Sequence, residues 1–126
     1  MSQTNVDLAR RGFAAAVVGD FDAIGLLLGR DVKWHAGDPS AVGSCQNRAQ
    51  ALQFMRQAHQ RGRLGELVDV VGVGEKVVVI MRPPTGDGEE PVALVANLTT
   101  FRNGKVIEMV HYPNPDDALA AAGAGT

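Results

Sequence analysis

Asn97 and His111 are the residues of this 126-residue chain whose types and places most suggest chemistry. They fall on two stretches, Val92–Phe101 and Val106–Tyr112, that read as strands joined by Arg102-Asn-Gly-Lys105. Asn-Gly is the strongest short-range hairpin signal, because both residues tolerate the positive φ of a type I′ turn. Alternation puts Ala93, Val95, Asn97, Thr99 and Phe101 on one face and Val92, Leu94, Ala96, Leu98 and Thr100 on the other. The first set mixes small and polar residues, which predicts the lining of a cavity. His111 shares strand parity with Met109 and Ile107. On the concave face its imidazole would point into that cavity as a general acid or base near neutral pH. Asn97 would offer its amide to a developing enolate or a carbonyl. The structural alternatives are a histidine bonded to backbone at a strand end or in a dimer interface, and an amide that satisfies buried polar neighbours.

Further candidates come from Asp31-Val-Lys-Trp-His35 and the loop behind it. Trp34 and His35 must point to opposite faces, so only one lines the cavity. Trp34 brings a large flat surface to core or ligand, and His35 is the second polar group. Asp38, in the loop after the strand, is placed to reach the cavity mouth as a replacement base, although an aspartate before proline commonly serves a turn. Phe54, Val95, Thr99 and Met109 complete the expected substrate-binding surface. His59 reads as a helix-end residue. Three histidines and the lone Cys45 show no ligand spacing, so no metal is expected, and no cofactor. Neither a Gly-x-Ser-x-Gly elbow nor a phosphate loop occurs, which removes support for serine hydrolysis and nucleotide binding.

These side chains need elements to hold them. Val6, Ala9, Phe13 and Val17 recur at helical spacing, capped by Thr4 or Asn5, and Gly19 ends that helix near Val18. Asp20 caps a second short helix through Phe21, Ile24, Leu27 and Leu28, which Gly29 stops. After the Asp31–His35 strand and a long loop from Ala36 to about Cys45, a third helix spans Asn47–Arg61 with Ala51, Leu52, Met55 and Ala58 as its apolar stripe. Strands over Leu67–Val73 and Lys76–Arg82 meet at a Gly74-Glu75 turn, and Pro83–Pro91 forms a loop into the hairpin. Past Tyr112, Pro113 and Pro115 halt the sheet, and Asp116 starts a terminal helical turn. Helices early and a strand meander late argue for an α+β fold. The length fits one domain over residues 1–126. A net charge of −2 with no basic cluster excludes nucleic acid as a partner. No apolar run approaches the roughly 18 residues of a membrane span and no signal segment begins the chain, so a cytoplasmic, membrane-free protein is expected.

Four motifs carry a resemblance to a known family. They are Gly19-Asp-Phe-Asp-Ala-Ile between the first helices, Asp31-Val-Lys-Trp-His, Asn47-Arg-Ala-Gln-Ala-Leu opening the third helix, and Phe101-Arg-Asn-Gly-Lys-Val-Ile-Glu with the end containing Tyr112. In order and spacing the chain resembles SnoaL-like proteins of the nuclear-transport-factor-2-like superfamily, relatives of ketosteroid isomerases and polyketide cyclases. The resemblance implies a cone-shaped, cystatin-like roll, with three helices from the N-terminal half packed on a curved, mostly antiparallel sheet around a pocket. It also implies a homodimer through the outer sheet face. Ketosteroid isomerases use a carboxylate base, a tyrosine and a protonated aspartate. The matching positions here are Ala36, Gly12 and Asn97, so the chain is not a typical ketosteroid isomerase. The aspartate that SnoaL-like proteins usually carry after the terminal tyrosine corresponds to Asn114. The expected function is binding of a small, largely apolar molecule in an internal pocket, with isomerisation, cyclisation or hydration by proton transfer open to it. The alternative is a non-catalytic ligand-binding or dimerisation module.

Overall fold

A computed structural model describes residues 2–38, 40–61, 65–83 and 93–123. The element order is α1 (Ser2–Val18), α2 (Phe21–Leu27), β1 (Leu28–His35), α3 (Arg48–Gln60), β2 (Glu66–Val73), β3 (Lys76–Arg82), β4 (Val95–Arg102), β5 (Lys105–Tyr112) and α4 (Pro115–Ala122). The strands form one sheet in the order β1-β5-β4-β3-β2. β1 runs parallel to β5, and every other pair is antiparallel. The α+β class and the helices-then-meander order therefore hold. Residues 84–92, which contain most of the expected loop and the start of the expected hairpin strand, lie outside the described residues.

Local chemistry explains most boundaries. Asp20 caps α2 by accepting from the Ala23 amide, and Asn47 caps α3 by accepting from the Gln50 amide. Asn103 and Gly104 take φ of 53° and 77°, the paired left-handed geometry their types favour. Two expectations shift. Helix α1 starts at Ser2, so Asn5 is not its cap but a buried residue within it. Leu28 leaves α2 and opens β1, where it pairs with Val106; its side chain is 3% exposed, and strand pairing with burial outweighs its helical period. The terminal turn is a two-turn helix, α4, capped by the Asn114 side chain.

The sheet carries a core on each face. The face under α1, α2 and α3 gathers Val32, Val70, Val77, Val79, Phe101, Val106 and Met109. The opposite face gathers Val78, Ile80, Ala96 and Leu98 beneath Ala118 and Leu119 of α4. β3 is consequently buried on both sides from Val77 to Ile80, which accounts for its unbroken apolar run. Phe101, Val32, Val77 and Val78 are the largest fully buried side chains, each worth about 1.5–3 kcal/mol of transfer free energy.

One irregularity decides which side chains reach the helical face. A two-residue turn sets Arg102 opposite Lys105 and Phe101 opposite Val106. Ile107 is then left unpaired, Thr100 meets Glu108, and Asn97 meets His111. Without that bulge Val110 would stand opposite Asn97. Ile107 therefore breaks the simple parity that groups it with Met109 and His111, and Val106 joins the inner core in its place.

Candidate functional site

Rows of paired residues cross the helical face of the sheet. One runs Val70, Val79, Asn97, His111 and the next runs Gly72, Val77, Thr99, Met109, Trp34. The first row is apolar on β2 and β3 and polar on β4 and β5. Its polar end forms the floor of a cleft of about 540 Å³, within the range of small-molecule sites. Around that floor stand Trp34, Phe54, Cys45 and the loop residues Ala36, Asp38, Ala41, Val42, Gly43 and Ser44.

Asn97 and His111 thus share one face and one cleft. The Asn97 Oδ1 is buried with no hydrogen-bond partner. A lone acceptor in that position costs about 1–3 kcal/mol, and proteins seldom keep one without a use. Trp34, rather than His35, faces inward: it pairs with Met109 and meets Phe54 edge to face at 4.9 Å between ring centroids. Phe54 is 49% exposed at the rim, reached from α3.

His35 touches the cleft margin, but its ring is committed. The Gly37 amide donates to Nδ1 at 3.0 Å, so the ring hydrogen sits on Nε2, which donates to Glu108 Oε2 at 2.9 Å. Asp38 also lines the cleft. Its Oδ1 accepts from the Ser40 hydroxyl at 2.7 Å and the Ser40 amide at 2.9 Å, and these two bonds hold its carboxyl below the ordinary 3.8. A carboxylate stabilised in that way is a weak base, which departs from the replacement-base role expected for Asp38.

Val95, Thr99 and Met109 do not reach the cleft. They line an adjoining apolar chamber of about 290 Å³ between the sheet, α1 and α3. Cys45 is the residue that local sequence pattern missed. Backbone bonds of 3.0 and 2.8 Å tie it to Trp34 as an isolated antiparallel bridge, folding the loop back over the cleft. Burial pushes its thiol above the ordinary 9.0. Only the long-range return of the loop brings it there, and no spacing within residues 36–45 announces it. His59 packs edge to face on Phe21, away from this site. Among the described residues no group of three or more His, Cys, Asp or Glu converges as a metal ion would require, and no helix is long and apolar enough to cross a membrane.

Residues 9–109 match the family model described as a SnoaL-like domain. The sequence matches none of the curated proteins. Among solved structures, Bal32a from a soil-derived mobile gene cassette is 25% identical with a TM-score of 0.72, over 88% of this chain and 89% of that one. A Sinorhizobium meliloti protein assigned as a polyketide cyclase is 16% identical with a TM-score of 0.68, over 83% and 93%. A Kribbella flavida protein assigned as a ketosteroid isomerase is 18% identical with a TM-score of 0.69, over 87% and 77%. The last two likenesses carry the fold alone. Other neighbours are described as having a cystatin-like fold, in agreement with the α+β roll.

Proposed function

The chain belongs to the SnoaL-like domain family, and on that scaffold we propose that it binds a small, largely apolar molecule in the cleft, with Asn97 and His111 as the polar contacts. The observation that supports this reading most is the unpartnered, buried Asn97 Oδ1 directly opposite His111. His111 makes no side-chain hydrogen bond among the described residues, so its ring is available to give or take a proton. Proteins of the same fold are assigned as a polyketide cyclase and a ketosteroid isomerase, so proton transfer is a chemistry this scaffold hosts. The reaction class is then isomerisation, cyclisation or hydration, in which Asn97 holds the polar end of the substrate and His111 moves the proton.

Binding without chemistry is the second reading, and a specific observation favours it. Among the described residues lining the cleft, Asp38 is the only acid, and its carboxylate is held by Ser40. The position where the resemblance puts a base is the methyl group of Ala36. One experiment separates the readings: thermal unfolding with a panel of neutral apolar metabolites, followed by proton exchange into any binder in heavy water. Stabilisation by linkage that His111→Ala preserves, with exchange that it abolishes, identifies a proton-transfer enzyme. Stabilisation with no exchange identifies a binding module. No stabilisation across the panel would overturn both.

A further inference from the structure

The cleft and the apolar chamber share three wall residues, Trp34, Phe54 and Asn97. Resting on the binding reading above, we propose that the two volumes are one bipartite site for an elongated, uncharged molecule. Its apolar body fills the chamber and its hydroxyl group ends between Asn97 and His111, with the Trp34–Phe54 pair as the passage.

The wall chemistry selects this class. The chamber is bounded by side chains such as Leu8, Phe13, Ile24, Met55 and Met81, and Asn97 and Thr99 are its only polar ones among the described residues. A charge entering it would lose hydration with nothing to replace it. The cleft has no lysine or arginine in its described wall, and its one carboxylate, Asp38, repels an anionic head group. A hydroxyl fits the polar end, since it donates to the orphaned Asn97 Oδ1 and accepts from the His111 ring. The passage is also able to open. Phe54 meets Trp34 through a single edge-to-face contact and is 49% exposed, so its rotamer exchange is a picosecond to nanosecond event.

The test uses the full chain and linear primary alcohols from hexanol to dodecanol, with methyl ethers and carboxylates of matched length. The emission of Trp34, the sole tryptophan, reports binding. Affinity for the alcohols is expected to rise about fourfold per added methylene until the chamber is full. Ethers and carboxylates should bind about tenfold more weakly than the alcohol of equal length. Ala9→Phe, which fills the chamber from α1, should end the climb at a shorter chain. The wild-type length series stands by itself should that variant fold poorly. Affinity independent of chain length, or equal for alcohol and ether, would overturn the bipartite hydroxyl site and leave the cleft as a ligand site. Failure of every probe to bind would overturn the binding reading as well.

Discussion

His35 Nε2 and Glu108 Oε2 meet at 2.9 Å across the parallel β1–β5 pair, while the other ring nitrogen of His35 accepts the Gly37 amide. One imidazole therefore ties the edge of the sheet to the start of the loop that walls the cleft. The His35 side chain is 7% exposed and that of Glu108 is 43% exposed. Glu108→Ala leaves a nearly buried ring hydrogen short of its acceptor, at a cost of about 1 kcal/mol, the low end for such groups because water reaches the Glu108 side. Glu108→Gln keeps an acceptor and should stay near wild type. His35→Ala removes both bonds, costs more, and should speed hydrogen exchange at Gly37. Urea unfolding and amide exchange measure these effects, and an unaltered Gly37 rate in His35→Ala would disprove the tie.

Asn97 carries a cost that folding alone does not require. Asn97→Leu replaces the amide with an apolar group of similar volume and is expected to stabilise the protein by about 1 kcal/mol, or about 3 °C in Tm. The same change should abolish the preference for hydroxylated ligands, a trade of function against stability. A lower Tm would mean that the amide has a structural partner.

Ser40 sets the titration of Asp38. The hydroxyl bond is the larger cause of the depressed carboxyl, with the amide bond next. A carboxyl depressed in the folded state adds stability above its unfolded value, and that stability fades as pH falls through the folded value. The loop should therefore lose this support only in acid, below the ordinary 3.8. Ser40→Ala should bring the Asp38 midpoint back toward 3.8 in a carboxyl-carbon NMR titration. An unmoved midpoint would show that the Ser40 hydroxyl is not the cause.

Cys45 should be a slow nucleophile. It is 6% exposed and its thiol is pushed above 9.0 by burial. Alkylation by iodoacetamide at mildly alkaline pH is expected to run at least about tenfold slower than for a free cysteine, because both thiolate fraction and access are reduced. A ligand seated in the cleft should slow it again. Mass spectrometry of modified protein over time measures both rates.

The parts of the fold written locally were legible in sequence. Asp20 caps the helix it precedes and Asn103-Gly104 turns the hairpin, as their residue types demand, while Asn47, expected as the first residue of α3, is its cap. Failures arose where distant contacts outweigh local pattern. Leu28 has helical spacing yet pairs with Val106, and Cys45 reaches the cleft only through its bridge to Trp34. Trp34 and His35 were separable in principle by alternation, but choosing the inward one required knowing that Met109 lies beside Trp34. The companionship of Asn97 and His111 was expected from parity, although strict hairpin pairing would have broken it. The expected outer-face homodimer meets a further consideration: α4 lies over Val78, Ile80, Ala96 and Leu98, so an interface there would have to include the helix.

The unpaired Ile107 gives the hairpin a tolerance to length at one place only. Deleting it would join Thr100 to Glu108 through straight pairing and leave the imidazole opposite Asn97. Deleting any one residue from Glu108 to Val110 would turn the imidazole away, unless the bulge itself were absorbed. Zipping the bulge shut, with no change of composition, would present the isopropyl group of Val110 to the cleft in place of a titratable ring. The identity of the cleft floor is thus encoded as much by a count of residues as by their kinds, and a loss of one codon could silence the site while sparing the fold.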